Sequence, residues 1–149
     1  MKKRFPLLFV VLILAACQDD DGPEPLLSVD CGEPIFLTDQ TDVPASDAFD
    51  LIEVSTSGLC MDVTIGASGC SMDGWAMQLR SNGEVAESLP TQTSARLIFD
   101  DGVEGNNICL AYFTVTYTFN LSDYLSPGAL PSNLTLTGPG AEQTTVFFE

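Results

Sequence analysis

Apolar and polar residues alternate with period two along most of the chain after about residue 30, the pattern of strands that bury one face and expose the other. No window carries an apolar stripe at helical spacing. The alternation predicts strands over 34–38, 49–56, 59–66, 74–80, 94–99, 108–120, 133–137 and 144–148. Between them lie turn clusters such as Ser57-Gly58, Ser81-Asn82-Gly83, Asp101-Gly102 and Gly138-Pro139-Gly140, rich in residues that accept tight backbone reversals. Seven to eight short strands at this spacing predict an all-β fold, an antiparallel β-sandwich of immunoglobulin-like architecture, with a small barrel as the alternative.

The same alternation assigns faces. In the strand over 59–66, Met61, Val63 and Ile65 should point into the core and Cys60, Asp62 and Thr64 outward. In the long strand, Cys109, Ala111, Phe113, Val115, Tyr117 and Phe119 form the apolar file, leaving Tyr112, Thr114, Thr116 and Thr118 as an outer ladder. An outward Cys60 is a poor partner for an inward Cys109, because a disulfide needs Cβ atoms about 4 Å apart. The expected bridges are therefore Cys31–Cys60 and Cys70–Cys109, the second lying deep in the sandwich.

The chain begins Met1-Lys2-Lys3-Arg4, continues through an apolar run from Phe5 to Ala16 and stops at Cys17-Gln18-Asp19-Asp20-Asp21. A basic head, a short apolar middle and a small-residue end describe a secretory signal. The run is shorter than the about 20 residues a membrane-spanning helix needs. Leu14-Ala15-Ala16-Cys17 resembles the bacterial lipobox, which implies lipidation of Cys17 and removal of residues 1–16. Acyl chains contribute about 0.8 kcal/mol per buried CH₂, so two or three of them hold a protein on a membrane. Gln18 in place of an aspartate favours the outer membrane, since an Asp there resembles the inner-membrane retention cue. Asp19, Asp20 and Asp21 look like the acidic surface-export signal of Bacteroidota lipoproteins, with display toward the periplasm as the alternative. The expected organisation is a signal over 1–16, an acidic tether over 17–30 and one β-sandwich domain over 31–149.

Charge narrows the partners. The chain has 5 Lys and Arg against 21 Asp and Glu. Loss of Lys2, Lys3 and Arg4 with the signal leaves Arg80 and Arg96 against all 21 carboxylates, a formal charge of −19. Such a surface repels phosphate backbones and anionic headgroups, which disfavours nucleic acid. A charged partner should be basic, or a divalent cation.

From about residue 59 to 124 the sequence resembles a group of uncharacterised Bacteroidota lipoproteins. The resemblance rests on the segment from Cys60 to Cys70, the strand around Trp75, Ala86-Glu87-Ser88-Leu89-Pro90-Thr91-Gln92, and Cys109-Leu110-Ala111-Tyr112 leading into Phe119-Asn120-Leu121-Ser122. It departs at Leu89-Pro90, where similar proteins tend to have a double proline, and at Leu110, where a Glu often follows the cysteine. The resemblance implies an envelope address and a sandwich, and no activity.

With no histidine in the chain, Ser-His-Asp and Cys-His nucleophile systems and H-E-x-x-H zinc sites are excluded. Phosphate-cradling glycine motifs are missing too, and no cofactor is expected. The four cysteines after the lipobox include no C-x-x-C pair, which argues against a structural metal. A carboxylate pair of the glycosidase kind is the remaining catalytic route. The acidic loop Asp100-Asp101-Gly102-Val103-Glu104 offers hard oxygen ligands for Ca²⁺ through Asp100, Asp101 and Glu104. It does not match the calcium-loop pattern, and its turn formers favour the reading as a polar hairpin connection. Trp75 could be a sugar-stacking platform, but its alternation with Met77 and Leu79 places it in the core. The sequence thus points to a non-enzymatic interaction module on an acyl anchor, binding a protein or glycan. Its alternatives are an inhibitor or immunity protein that captures a basic enzyme, and a carboxylate-based glycan hydrolase.

Overall fold

The computed structural model describes residues 31–38, 43–103 and 109–149. Seven strands of six residues or more build it: β3 (Asp50–Ser57), β4 (Cys60–Gly69), β5 (Ala76–Ser81), β7 (Thr91–Asp100), β8 (Ala111–Asn120), β9 (Ser132–Thr137) and β10 (Gln143–Phe148). Three two-residue strands, β1 (Glu33–Pro34), β2 (Phe36–Leu37) and β6 (Val85–Ala86), complete the described set. One sheet has the order β1-β8-β4-β3 and the other β10-β9-β7-β5-β2, with β6 beside β7. The protein is a β-sandwich.

Most pairings are antiparallel, but β1–β8, β2–β5 and β7–β9 run parallel. The strand expected over 34–38 splits into β1 and β2 because the chain crosses from one sheet to the other there, burying Ile35 between them. In a constant-type immunoglobulin sandwich the fourth strand lies at the edge of the sheet that holds the second and fifth. Here the fourth long strand, β7, sits instead between β5 and β9 in the opposite sheet.

The β3–β4 hairpin turns through Gly58 and Leu59, and Gly58 has φ 60°, a positive value of the kind two-residue hairpin turns need at their first position. β4 and β8 then pair over ten residues. Met61, Val63 and Ile65 are fully buried, opposite the partly buried Val115 and Tyr117 and the buried Phe119. The other sheet answers with Leu79, Leu97, Phe99, Leu134 and Leu136. Leu121 and Leu125, in the loop after β8, close the end of the core near the hairpin, where the Leu121 N–H donates to the Leu59 carbonyl at 2.9 Å. Trp75, just before β5, is partly buried and packs against the core, edge-on to Phe99 at 5.1 Å and to Phe113 at 5.9 Å between ring centroids. Its buried Nε1 has no hydrogen-bond partner among the described residues.

Cys31 is bonded to Cys60, with Cα atoms 6.0 Å apart, and Cys70 to Cys109, at 4.9 Å. The second bridge is not deep in the sandwich. Cys70 is exposed and Cys109 half-buried, both just beyond the Gly69–Ala111 end of the β4–β8 ladder. β8 starts at Ala111 rather than at 108, and Ala111 at its end is exposed, so the file expected from Cys109 and Ala111 onward faces the core only from Phe113.

Candidate functional site

The two poles of the sandwich differ. Cys60 opens β4 and carries the bridge to Cys31, so the residues preceding β1 are stapled to the pole that holds the β3–β4 hairpin. Gly69 closes β4 at the other pole. Around it stand the 70–75 turn, the start of β3, the end of β7 and the β9–β10 turn. At about 3.3 Å per residue, the ten residues of β4 separate the two poles by roughly 30 Å.

The distal pole is acidic. β9 pairs with β7 only as far as Arg96, which leaves the last residues of β7 without a strand on that side. The segment before β3 fills the gap: Asp47 N–H donates to the Phe99 carbonyl at 2.8 Å, and Ser46 Oγ accepts from Phe99 N–H at 3.0 Å. This docking covers Ile98 on the outer face and sets Asp47 beside Asp100 and Asp101. Carboxylate oxygens of the three lie within 4.8 Å of one another. Each also accepts a backbone N–H: Asp47 from Asp101 at 3.0 Å, Asp100 from Gly102 at 2.9 Å and Asp101 from Val103 at 2.8 Å. Ca²⁺ takes six to eight oxygens, and these bonds already occupy one oxygen of each group, the Asp100 and Asp101 ones as local turns and the Asp47 one as a tie between two segments, which accounts for the cluster as loop architecture. Of the residues singled out in the sequence, Asp100 and Asp101 meet here, whereas Glu104, Cys17, Gln18, Asp19, Asp20 and Asp21 lie outside the described residues. Asp47 carried no signal in the sequence, because what brings it in is a docking interaction with a strand about 50 residues later.

Beside this cluster the outer face of the first sheet holds a second arrangement. Tyr112 Oη donates to Asp50 Oδ2 at 2.9 Å. It reaches from β8 to β3 across β4 only because Gly66 lies beneath it, where a Cβ would collide with the Tyr112 ring. That hydrogen bond is the largest cause of the raised pKa of Tyr112, since ionisation would set a phenolate against a carboxylate. Below it, Thr64 and Thr116 share a hydrogen bond of 2.8 Å and Thr118 Oγ1 donates to Asp62 Oδ1 at 2.6 Å. Between the two sheet edges at this pole, Asp47, Asp50, Phe99, Asp101 and Tyr112 line an open cavity of about 360 Å³.

A different recess, of about 280 Å³, lies on the outer flank of the second sheet. Arg80 and Arg96 line it and are direct cross-strand partners on β5 and β7. Arg80 Nε donates to Gln78 Oε1 at 3.0 Å, and its guanidinium carbon stands 5.8 Å from the centroid of the Phe36 ring. Arg96 is exposed. Counting charges in the sequence identifies both arginines but not their juxtaposition.

No protein-family model matches the chain, and no curated protein matches it either. Among solved structures it is similar to the crystal structure of a Bacteroides vulgatus protein of unknown function, DUF1344, at 16% identity and a TM-score of 0.53. The similarity covers 79% of this chain and 56% of that one, so the chain spans little more than half of that protein's length. At this identity the likeness concerns the fold alone.

Proposed function

We propose that the protein is a non-enzymatic binding module, displayed on the bacterial envelope by an acyl anchor at Cys17. The observation that carries this reading is the polarity of the sandwich: the staple to Cys31 sits at one pole, while the acidic loops around Asp47, Asp100 and Asp101 and the β9–β10 turn stand at the other. A chain tethered through residues 17–30 would then hold its distal loops roughly 30 Å farther from the membrane, and binding function on such scaffolds resides in the loops. No helix among the described residues is long and apolar enough to cross a membrane. Attachment in this reading rests on the lipid at Cys17. Outer-membrane location and surface exposure follow from Gln18 and from Asp19, Asp20 and Asp21.

A second reading, capture of a basic envelope-attacking enzyme, is favoured by the gathering of Asp47, Asp50, Asp100 and Asp101 at the distal pole, since concentrated charge of one sign steers an oppositely charged partner. Affinity capture from envelope extract at low and then high salt separates the two readings. Retention that resists salt supports the module, and a basic protein that elutes steeply with salt supports capture. Turnover of a glycan without retention would refute both. For the anchor, Cys17→Ala should abolish palmitate incorporation and membrane attachment, and label persisting in that variant would sink the lipid assignment. Changing Asp19, Asp20 and Asp21 to Ala should protect the protein from external protease in intact cells while leaving lipidation unchanged.

A further inference from the structure

The Asn120 carbonyl accepts from Ile35 N–H at 3.1 Å on the β1 side of β8, whereas Leu121 N–H, one residue on, turns the other way to Leu59. Backbone direction along a strand repeats every second residue, so Tyr112, Thr114 and Thr116 aim their N–H and C=O groups at the β1 side. β1 pairs only with Phe119 and Asn120, and Gly32 packs on Thr118. Among the described residues no strand pairs with the rest of that edge, from Ala111 to Tyr117. A chain running on in line with β1 would stand two strand spacings, about 9.6 Å, from β4. The Cys31 Cα is 6.0 Å from that of Cys60, so at Cys31 the chain has already left the edge and stands over the sheet face.

Sheet edges are ordinarily blunted by charge, a bulge, proline or brevity. β3 carries Asp50, Glu53 and a register shift between Leu51 and Glu53. β5 carries Arg80 and is joined by β2, and the six-residue β10 lies against β3. The open stretch of β8 has none of these devices. Although the chain has 21 carboxylates, no charged residue falls between Glu104 and Asp123. The edge also holds the exposed Leu110 and Tyr112 and the half-buried Phe113, Val115 and Tyr117.

We propose that this edge joins the same edge of a second copy of the chain, forming a two-fold symmetric dimer with one continuous sheet across both copies. The inference goes beyond the binding-module reading and does not depend on it. A two-fold pairing that uses the whole open edge centres on its midpoint, Thr114. Thr114 then faces Thr114 of the second copy, Tyr112 faces Thr116 and Phe113 faces Val115. The edge-facing groups of Tyr112, Thr114 and Thr116 satisfy one another through roughly six hydrogen bonds. Thr–Thr and aromatic–β-branched pairs are favourable across such a ladder. Two chains this acidic repel each other over most of their surfaces, and an uncharged edge lets them meet. The copies run head to tail. Residues 17–30 can span up to about 50 Å when extended, more than the roughly 30 Å between the poles, so anchors on both copies reach one membrane.

The test is the mass of the full chain in detergent, by light scattering corrected for bound detergent, together with cross-linking through single introduced cysteines. Wild type should have twice the mass of one chain. Thr114→Cys should form a disulfide-linked dimer on mild oxidation, because a hydrogen-bonded antiparallel pair sets Cα atoms about 5.5 Å apart, within the about 4.4–6.8 Å that a disulfide accepts. Thr116→Cys should cross-link at least about tenfold less, since its two copies would stand about 14 Å apart. Thr114→Lys, which sets like charges opposite each other on the axis, should weaken association about tenfold or more. Thr114→Pro, which removes the central N–H donors and suits an edge strand, should do the same. The proposal is overturned if wild type is monomeric, if Thr116→Cys cross-links as readily as Thr114→Cys, or if both Thr114→Lys and Thr114→Pro remain dimeric. A wild type that dimerises only after Leu27→Asp and Val29→Asp would assign the edge to the chain's own tether and also overturn it.

Discussion

Removing the two disulfides one at a time, as Cys31→Ser with Cys60→Ser and as Cys70→Ser with Cys109→Ser, tests how the sandwich divides its stability. The bridges close loops of 29 and 39 residues. In the chain-entropy model these constrain the unfolded state by about 3.6 and about 3.9 kcal/mol, a difference of only about 0.3 kcal/mol. Alternation along the long strand had placed Cys109 in the core, which would add a cavity penalty to loss of the second bridge. The structure removes that penalty, since Cys70 is exposed and Cys109 half-buried beyond the strand ends. The two double variants should therefore lose nearly equal stability, within about 0.5 kcal/mol, measured by urea unfolding with linear extrapolation, and both should show a larger denaturant slope as their unfolded chains expand. Hydrogen exchange should separate them. Loss of Cys31–Cys60 should deprotect residues 33–37, held by two-residue ladders and the buried Ile35. Loss of Cys70–Cys109 should leave the ten-pair β4–β8 ladder protected. A stability gap above about 1.5 kcal/mol in either direction would refute the loop-constraint reasoning.

Three further outcomes are expected. Gly32 has φ 61° and its missing Cβ would overlap the Thr118 backbone carbonyl; Gly32→Ala should cost at least about 2 kcal/mol, whereas Gly58→Ala, with open space around it, should cost only its backbone term of about 1–2 kcal/mol, and equal losses in thermal unfolding would contradict the clash. Phe99, 1% exposed and edge-on to Phe49 and Trp75, should cost about 3–5 kcal/mol when changed to Ala, with a lower value in urea unfolding showing that the core collapses into the space. In alkaline spectrophotometric titration Tyr112 should ionise later than an ordinary tyrosine, and Asp50→Asn should bring that step to lower pH. Because the folded-state pKa is raised, the interaction is present below the ordinary tyrosine pKa and is lost as pH rises through the folded value; an unchanged titration in Asp50→Asn would show that the hydrogen bond does not form in solution.

What the sequence by itself determined is which side chains share a face. Period two is a local property of extended backbone, so the inward file of Met61, Val63 and Ile65 and the outward ladder of Thr114, Thr116 and Thr118 could be read from order alone, and with them a two-layer all-β fold. Strand ends were less legible at Cys109, because an apolar residue in phase with a strand continues the pattern whether or not its backbone is paired. What only the tertiary structure decided is which strands are neighbours. The parallel β7–β9 pairing, the docking of Ser46 and Asp47 on the end of β7, the gathering of Asp47 with Asp100 and Asp101, and the meeting of Arg80 with Arg96 all join residues whose relation depends on how two sheets close over one core. Alternation specifies a face without naming the strand beside it. That choice follows from packing the layers and closing the loops between them, and the residues that it assembles carry no mark of it in their order.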